Sequence, residues 1–356
     1  MKLHDNQLQL IQHLARFNLL DYAGCLKMLD VDETGDRTAL SYVFRPLTKN
    51  KYLSKRKDGS VSILSKGRAL FPNVKPLIAA GGGASETRRV IEVSRMAALM
   101  EKNGIPAVGN IPASPESCFI PSACWRSIAS GILSTTRFTG ILAAGEYRLA
   151  VYDIGDGAMD WQTRAEGSLF YTKYGSYETK ATGMLLVCCG SERIKAARNI
   201  IRQTMWNRRQ LLQESCLERN KPTRWSRSPI KLRANYEHVY LTTPEHLTVS
   251  LSRILDEERY IQTLCNENSG TRQGSQGIGD IAVGSRRLFV NPSSDLLKYV
   301  RYFSAVKDYL VPEEDARFPR SKIEIELYIH KIDHPIAGMY PELYGLEGLK
   351  VYAYRS

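Results

Sequence analysis

Apolar positions recur at helical spacing near the start of the chain, where Leu8, Ile11, Leu14 and Ala15 predict a first helix that His4 or Asp5 can cap. A second helix is predicted over Asp21–Leu29, with Tyr22, Cys25, Leu26 and Leu29 inward and the turn Asp32-Glu33-Thr34-Gly35 behind it. From about Asp36 a third helix buries Leu40, Val43, Phe44 and Leu47. Pro46 falls near its end, where a lost amide donor costs less than in a helix interior. The period then changes to two. Tyr52–Lys55 and Ser60–Leu64 alternate around Arg56-Lys57-Asp58-Gly59, and Asp-Gly between such runs predicts a hairpin with positive φ at both turn positions. Ser65-Lys66-Gly67-Arg68 begins another short helical turn.

Three helices followed by a basic two-stranded wing predict a winged helix-turn-helix over residues 1–72. Residues 73–87, with Pro76 and Gly81-Gly82-Gly83, read as a linker. A long amphipathic helix is predicted over Arg88–Lys102, stopped by Asn103-Gly104-Ile105-Pro106, and residues 105–122, with four prolines, read as an irregular loop. Alternation at Phe138–Leu142 and Tyr147–Tyr152 predicts a strand pair around Ala144-Gly145-Glu146. Met184–Cys189 is a continuous apolar strand, Ser191 caps a helix to about Gln213, Val239-Tyr240-Leu241 is a further strand, and Thr243-Pro244-Glu245 starts a helix. That alternation of strand and helix predicts a parallel, buried sheet. Residues 88–356 are thus expected to form an α/β domain, restriction-endonuclease-like or another three-layer α/β fold. A C-terminal extension is expected from about residue 260, where a Gly/Ser/Asn/Gln-rich loop (266–279) precedes further strands and a helix near Ser294–Tyr309.

Composition places this pattern in a folded protein: 43% of the 356 residues are hydrophobic and 9% aromatic. The longest apolar run is too short to cross a bilayer, and the first residues lack the apolar core of a signal peptide. Seven cysteines without a CxxC pair fit reduced thiols, so a cytoplasmic protein without membrane contact is expected. The net charge of +12 is unevenly spread. Residues 1–72 carry 12 basic and 7 acidic side chains, and 193–249 carry 12 and 4, while 73–192 are balanced at 11 each and 250–356 hold 14 and 15. Two separated basic patches point to a polyanion.

In the first patch, Arg45, Lys49, Lys51, Lys55, Arg56, Lys57, Lys66 and Arg68 stand against Asp58 alone. A helix in the major groove with a wing on adjacent phosphates needs charge in these places, so double-stranded DNA is the expected partner. Arg37, Ser41 and Arg45 are the candidate readers on the third helix, Lys55, Arg56 and Lys57 the candidate phosphate contacts of the wing, and the outward Thr38 and Tyr42 with Lys49 complete the candidate DNA-binding set. In the second patch, Lys195, Arg198 and Arg202 share one helical face, with Trp206 and Trp225 nearby as stacking candidates.

Other chemistries are poorly served. Gly81-Gly82-Gly83 lacks the preceding strand and the Gly-Lys-Ser/Thr of a phosphate loop. His330 and His334 lack the glutamate of a zinc protease, and His13-Leu14-Ala15-Arg16 matches the histidine–arginine piece of tyrosine recombinases without the upstream arginine. A restriction-endonuclease-like site needs an acid on one strand and acid-x-lysine on the next to hold magnesium. Here Thr139 stands where the acid belongs and Gly155 where the lysine belongs, beside Asp153. The rival reading is therefore a magnesium-dependent nuclease with a displaced site of Glu92, Asp153 and Glu166. No metal or other cofactor is expected otherwise.

The hairpin Tyr52–Leu64 with Ser65-Lys66-Gly67, the helix Arg88–Lys102 and the segment Ser134–Tyr152 resemble the replication-relaxation proteins of plasmids and integrative conjugative elements. The similarity covers roughly the first half of the chain. It implies DNA binding near a transfer or replication origin, beside a relaxase or replication protein. With Thr139 and Gly155 in place of the nuclease residues, the expected function is a DNA-binding accessory protein of a mobile genetic element, in conjugative transfer or plasmid replication, without catalysis and compatible with a homodimer. A winged-helix transcription regulator is the further alternative.

Overall fold

A computed structural model of the chain describes residues 2–31, 42–78, 84–109, 117–125, 138–145, 147–155, 181–201, 238–273, 277–310, 323–338 and 350–354. It is a mixed α/β protein of two compact units, Met1–Gly145 and Glu146–Ser356.

In the first unit, α1 (Asp5–Phe17) opens at His4, whose backbone N–H donates to Gln7 Oε1 at 3.0 Å. Its inward positions Leu10, Ile11, Leu14 and Phe17 are fully buried. The chain reverses at Asn18 (φ 65°) into β1 (Leu19–Asp21), and the Asp21 carboxylate accepts from Gly24 N at 3.3 Å to start α2 (Tyr22–Met28). Tyr42 and Val43 are helical, and α3 covers Arg45–Lys49. Pro46 therefore sits in the first turn of a short helix rather than near the end of a long one; its missing donor is unneeded there. Leu40 and the start of the predicted third helix lie outside the described residues.

Strands β2 (Leu53–Lys55) and β3 (Ser60–Ile63) form the predicted hairpin, and α4 (Ser65–Arg68) follows. The turn differs from expectation. Only Gly59 takes positive φ (80°), because Arg56–Gly59 is a four-residue loop closed by Arg56 N–Ser60 O at 2.7 Å. Asp58 instead braces it, accepting from Ser60 N at 3.0 Å and Ser60 Oγ at 2.6 Å. The sheet also has an unpredicted third member: β1 pairs antiparallel with β3, Leu20 opposite Val61, giving the order β1-β3-β2. Three residues are too few for alternation to register.

Helix α5 (Ala84–Lys102) begins four residues before its predicted start and packs back on the N-terminal elements. Ala98 enters the core formed by Leu10, Leu14, Leu20, Cys25, Phe44, Leu47 and Val61. Arg95 reaches Asp21 at 3.2 Å, and Lys102 reaches Asp30 at 2.8 Å. Gly104 (φ 77°) ends the helix. Beyond it come β4 (Cys118–Pro121), α6 (Ser122–Trp125) and β5 (Phe138–Ala144). The antiparallel pair β4–β5 requires a glycine at Gly140, where a Cβ would stand 2.4 Å from Ile120 O.

In the second unit, β6 (Tyr147–Asp153), β7 (Ala181–Val187) and β8 (His238–Thr242) are parallel, as predicted. Residues 193–201 are helical, and α7 (Leu247–Glu267) follows the single turn Pro244–His246. The C-terminal half builds its own five-stranded sheet from β9 (Thr271–Arg272), β10 (Ile281–Val283), β11 (Arg286–Asn291), β12 (Glu324–His330) and β13 (Lys350–Tyr354). Strands β11, β12 and β13 are parallel, while β10 and β9 complete the order antiparallel. Helix α8 (Leu296–Leu310) leaves β11 through the buried loop 291–295, and α9 (His334–Ala337) follows β12.

That loop clasps β8. One Asp295 oxygen accepts from Val239 N at 3.1 Å and Leu297 N at 2.9 Å, and the other meets His238 Nδ1 at 2.9 Å. Asn291 bonds the Asp295 backbone in both directions at 2.9 Å. Buried charge is compensated here: Lys298 pairs with Glu257, Arg193 with Asp333, and Arg286 with Glu326 at 2.7 Å. Among the described residues no helix is long and apolar enough to cross a membrane.

Candidate nucleic-acid interface

The hairpin between β2 and β3 carries Lys55, Arg56 and Lys57 on consecutive exposed positions. Arg56 and Lys57 form no ion pair with a described residue, so their charge faces solvent. Lys55 is held differently, with its ammonium 4.0 Å from the centre of the Tyr22 ring. Tyr22 in turn meets Phe44 edge-on at 5.0 Å, which ties the root of the hairpin to the start of α3. The hydrogen bonds donated by Ser60, with a smaller contribution from Arg56, hold the Asp58 carboxyl below its ordinary range. The one acid in this stretch therefore serves the turn.

On α3 and the turn before it, Tyr42, Arg45 and Lys49 are exposed, and Tyr42 is 74% accessible, the largest value among the exposed large apolar side chains of the described residues. Arg37, Thr38 and Ser41 lie outside the described residues. The stretch 45–68 is less uniformly outward than its composition implies. Arg68 turns inward, donating to Ala15 O and to Asn18 Oδ1, and so satisfies the C-terminal end of α1. Lys66 lies over the Tyr52 ring at 4.7 Å.

The second basic patch divides in the same way. Arg193 is buried between Asp333, Ser294 Oγ and Ile332 O, a structural role that its sequence context does not announce. Lys195 and Arg198 are exposed, with Lys195 paired to Glu192 at 2.8 Å. Arg202, Trp206 and Trp225 lie outside the described residues. Sequence reasoning missed a different set of cations near Arg193. The His330 imidazole is pushed below its ordinary pKa by burial and then by the positive charge of Arg253, with Arg193 and His246 adding to it and Asp333 opposing. Burial likewise lowers Arg253, which Asp333 supports and Arg193 opposes. Burial and the neighbouring guanidinium charge thus favour the neutral imidazole, and these groups come from segments too far apart in sequence for any spacing to connect them.

The carboxylates of the nuclease reading are otherwise engaged. Glu92 Oε1 accepts from Arg88 Nε at 3.0 Å on α5, whereas Asp153 Oδ1 closes a turn by accepting from Gly155 N at 3.0 Å. They belong to different units, and Glu166 lies outside the described residues. Among the described residues no group of three His, Cys, Asp or Glu side chains is placed to hold a metal. Burial pushes the Cys188 thiol up to about 12, which keeps it a protonated core residue.

The histidine–arginine pair of α1 acquires a partner that the sequence does not reveal. His13 Nδ1 lies 2.7 Å from Glu101 Oε2, Arg16 pairs with the other oxygen, and His13 Nε2 meets Ser94 Oγ at 3.0 Å. This cluster forms the floor of a cleft of about 730 Å³ bordered by Gln9, Gln12 and the Lys102–Asp30 pair. Glu101 serves both His13 and Arg16, so the cluster staples α5 to α1. No protein-family model, curated protein or solved structure matches the chain.

Proposed function

We propose that the chain binds duplex DNA through a winged helix-turn-helix formed by residues 1–72. In this reading it acts without catalysis as an accessory protein of a mobile genetic element, in conjugative transfer or plasmid replication, beside a relaxase or replication protein. The order α1-β1-α2-α3-β2-β3, with β1 completing the sheet beside β3, supports the winged-helix reading. The observation that carries it is the pair Arg56 and Lys57, exposed on the hairpin tip without an ion-pair partner among the described residues. They stand on the same small sheet whose root is tied to α3 by Lys55, Tyr22 and Phe44. Tyr42 and Arg45, with Arg37, Thr38 and Ser41, read base edges; Lys49 and the hairpin hold phosphates.

The test is duplex binding by fluorescence anisotropy across a salt series. Replacing Lys55, Arg56 and Lys57 by alanine removes up to three phosphate contacts, so the slope of log affinity against log salt becomes shallower by up to about three units. An unchanged slope removes the hairpin from the interface. The same protein, incubated with supercoiled DNA and magnesium or manganese, leaves it intact; cleavage lost in Asp153→Ala selects the nuclease reading instead.

A further inference from the structure

Tyr22 is the first residue of α2, and the chain around it is firmly held. The Asp21 carboxylate before it caps the helix through Gly24 N at 3.3 Å and meets Arg95 of α5 at 3.2 Å. Within the sheet, Leu20 of β1 and Lys55 of β2 both stand opposite Val61 of the central strand β3. The Lys55 side chain therefore crosses β3 to bring its ammonium 4.0 Å from the centre of the Tyr22 ring. The same ring meets Phe44 edge-on at 5.0 Å. Phe44 is buried and starts α3, its carbonyl accepting from Leu47 N at 3.0 Å. Exposed Arg45 follows it directly, and exposed Tyr42 stands two residues before it. One side chain thus touches both the root of the hairpin and the start of α3.

We propose that Tyr22 is a positioning residue that holds α3 at a fixed distance from the hairpin and so sets the sequence specificity of duplex binding. This role rests on the duplex-binding reading above. Phosphate contacts tolerate small shifts, because charge acts at a distance and every nucleotide carries a phosphate. Hydrogen bonds to base edges do not, since they weaken steeply with distance and angle. A protein anchored by Arg56 and Lys57 can present Arg45 or Tyr42 to one particular base pair only if the spacing between hairpin and α3 is constant. The ring of Tyr22 supplies that constancy. Its face holds Lys55 without neutralising the ammonium, whose charge stays available to phosphate, and its packing on Phe44 has the preferred edge-to-face geometry.

The experiment selects a preferred duplex from a random library with the full chain, then compares its affinity with that of a scrambled duplex by fluorescence anisotropy. Tyr22→Leu should lower the ratio of the two affinities by about 5-fold or more, the worth of one base contact, through the preferred duplex alone. Affinity for the scrambled duplex and its salt slope should stay as they are, because Lys55, Arg56 and Lys57 remain. Tyr22→Phe keeps the ring and should keep the parental ratio. Phe44→Leu breaks the edge contact from the other side and should reproduce the loss, which covers a Tyr22→Leu protein that fails to fold. In the absence of DNA, the Lys55 protons beside its nitrogen should resonate upfield in the parent and in Tyr22→Phe, but at ordinary positions in Tyr22→Leu. A ratio unchanged in either folded leucine variant, an equal loss in Tyr22→Phe, or no upfield shift in the parent would each overturn the role of Tyr22 and leave duplex binding standing. A parent that binds every duplex alike also overturns that role alone, whereas one that binds no duplex overturns both.

Discussion

Lys55 and Tyr22 form a cation–π pair, with the ammonium 4.0 Å from the ring centre, and this sets Lys55 apart from its neighbours Arg56 and Lys57. All three are consecutive, basic and exposed, and the sequence offers no reason to distinguish them. The geometry does: one is bound to the folded domain, and two project from it.

Stability should therefore separate the three residues. Lys55→Met loses the ring contact and lowers unfolding free energy by about 0.5–1 kcal/mol. Arg56→Ala and Lys57→Ala, which remove no contact of this kind, should stay within about 0.5 kcal/mol of the parent. Urea denaturation of the three single variants decides it, and equal losses would mean that the pair contributes nothing.

Glu101 is the anchor between α1 and α5. Burial opposes its ionisation, but the hydrogen bond and charge of His13, with those of Arg16, outweigh it and lower its pKa below the ordinary glutamate value. A carboxyl depressed on folding stabilises the protein at pH values above its unfolded pKa, and that contribution fades as pH falls through the folded one. Glu101→Gln leaves Arg16 partly buried without its counter-charge and should cost roughly 2–4 kcal/mol at neutral pH. The deficit should shrink as urea denaturation is repeated toward pH 3. A deficit independent of pH would show that the amide's shape, not the lost charge, is responsible.

How far the sequence reached follows from the range of each interaction. Helix α1, the hairpin, α5 and the parallel strands β6, β7 and β8 announce themselves through local period, because each needs only its own apolar face. Strand β1 does not, since three residues carry no period and Leu20 gains its meaning from Val61, far along the chain. Charge was legible as a total and illegible as a role. Arg56 and Arg68 are equivalent letters in one basic stretch, yet one is exposed on a turn and the other satisfies carbonyl and amide groups at the end of α1. Likewise Arg193 reads as part of a basic helix but is buried against Asp333, a partner 140 residues away.

His238 offers a titration whose sign can be reversed by one atom. Burial disfavours its protonation, but the hydrogen bond to Asp295 and the charge of that carboxylate prevail, and its pKa lies above the ordinary histidine value. A histidine raised on folding contributes stability that is complete below about pH 6.5 and lost as pH rises through its folded pKa. The two backbone amides of Val239 and Leu297 both use Asp295 Oδ1, while His238 uses Oδ2. An Asp295→Asn substitution can therefore keep the loop intact, with the oxygen of the new side chain toward the amides and its NH₂ toward the ring. That NH₂ can donate only to a neutral imidazole, so burial and the charge of Lys298 are opposed by Glu257 alone and the pKa of His238 should fall below the ordinary value. Histidine resonances followed by NMR would report the crossing directly, and urea midpoints would rise rather than fall between about pH 5.5 and pH 8. A His238 that still titrates above its ordinary value in the Asp295→Asn protein would transfer the effect to Glu257, the other acid that raises it.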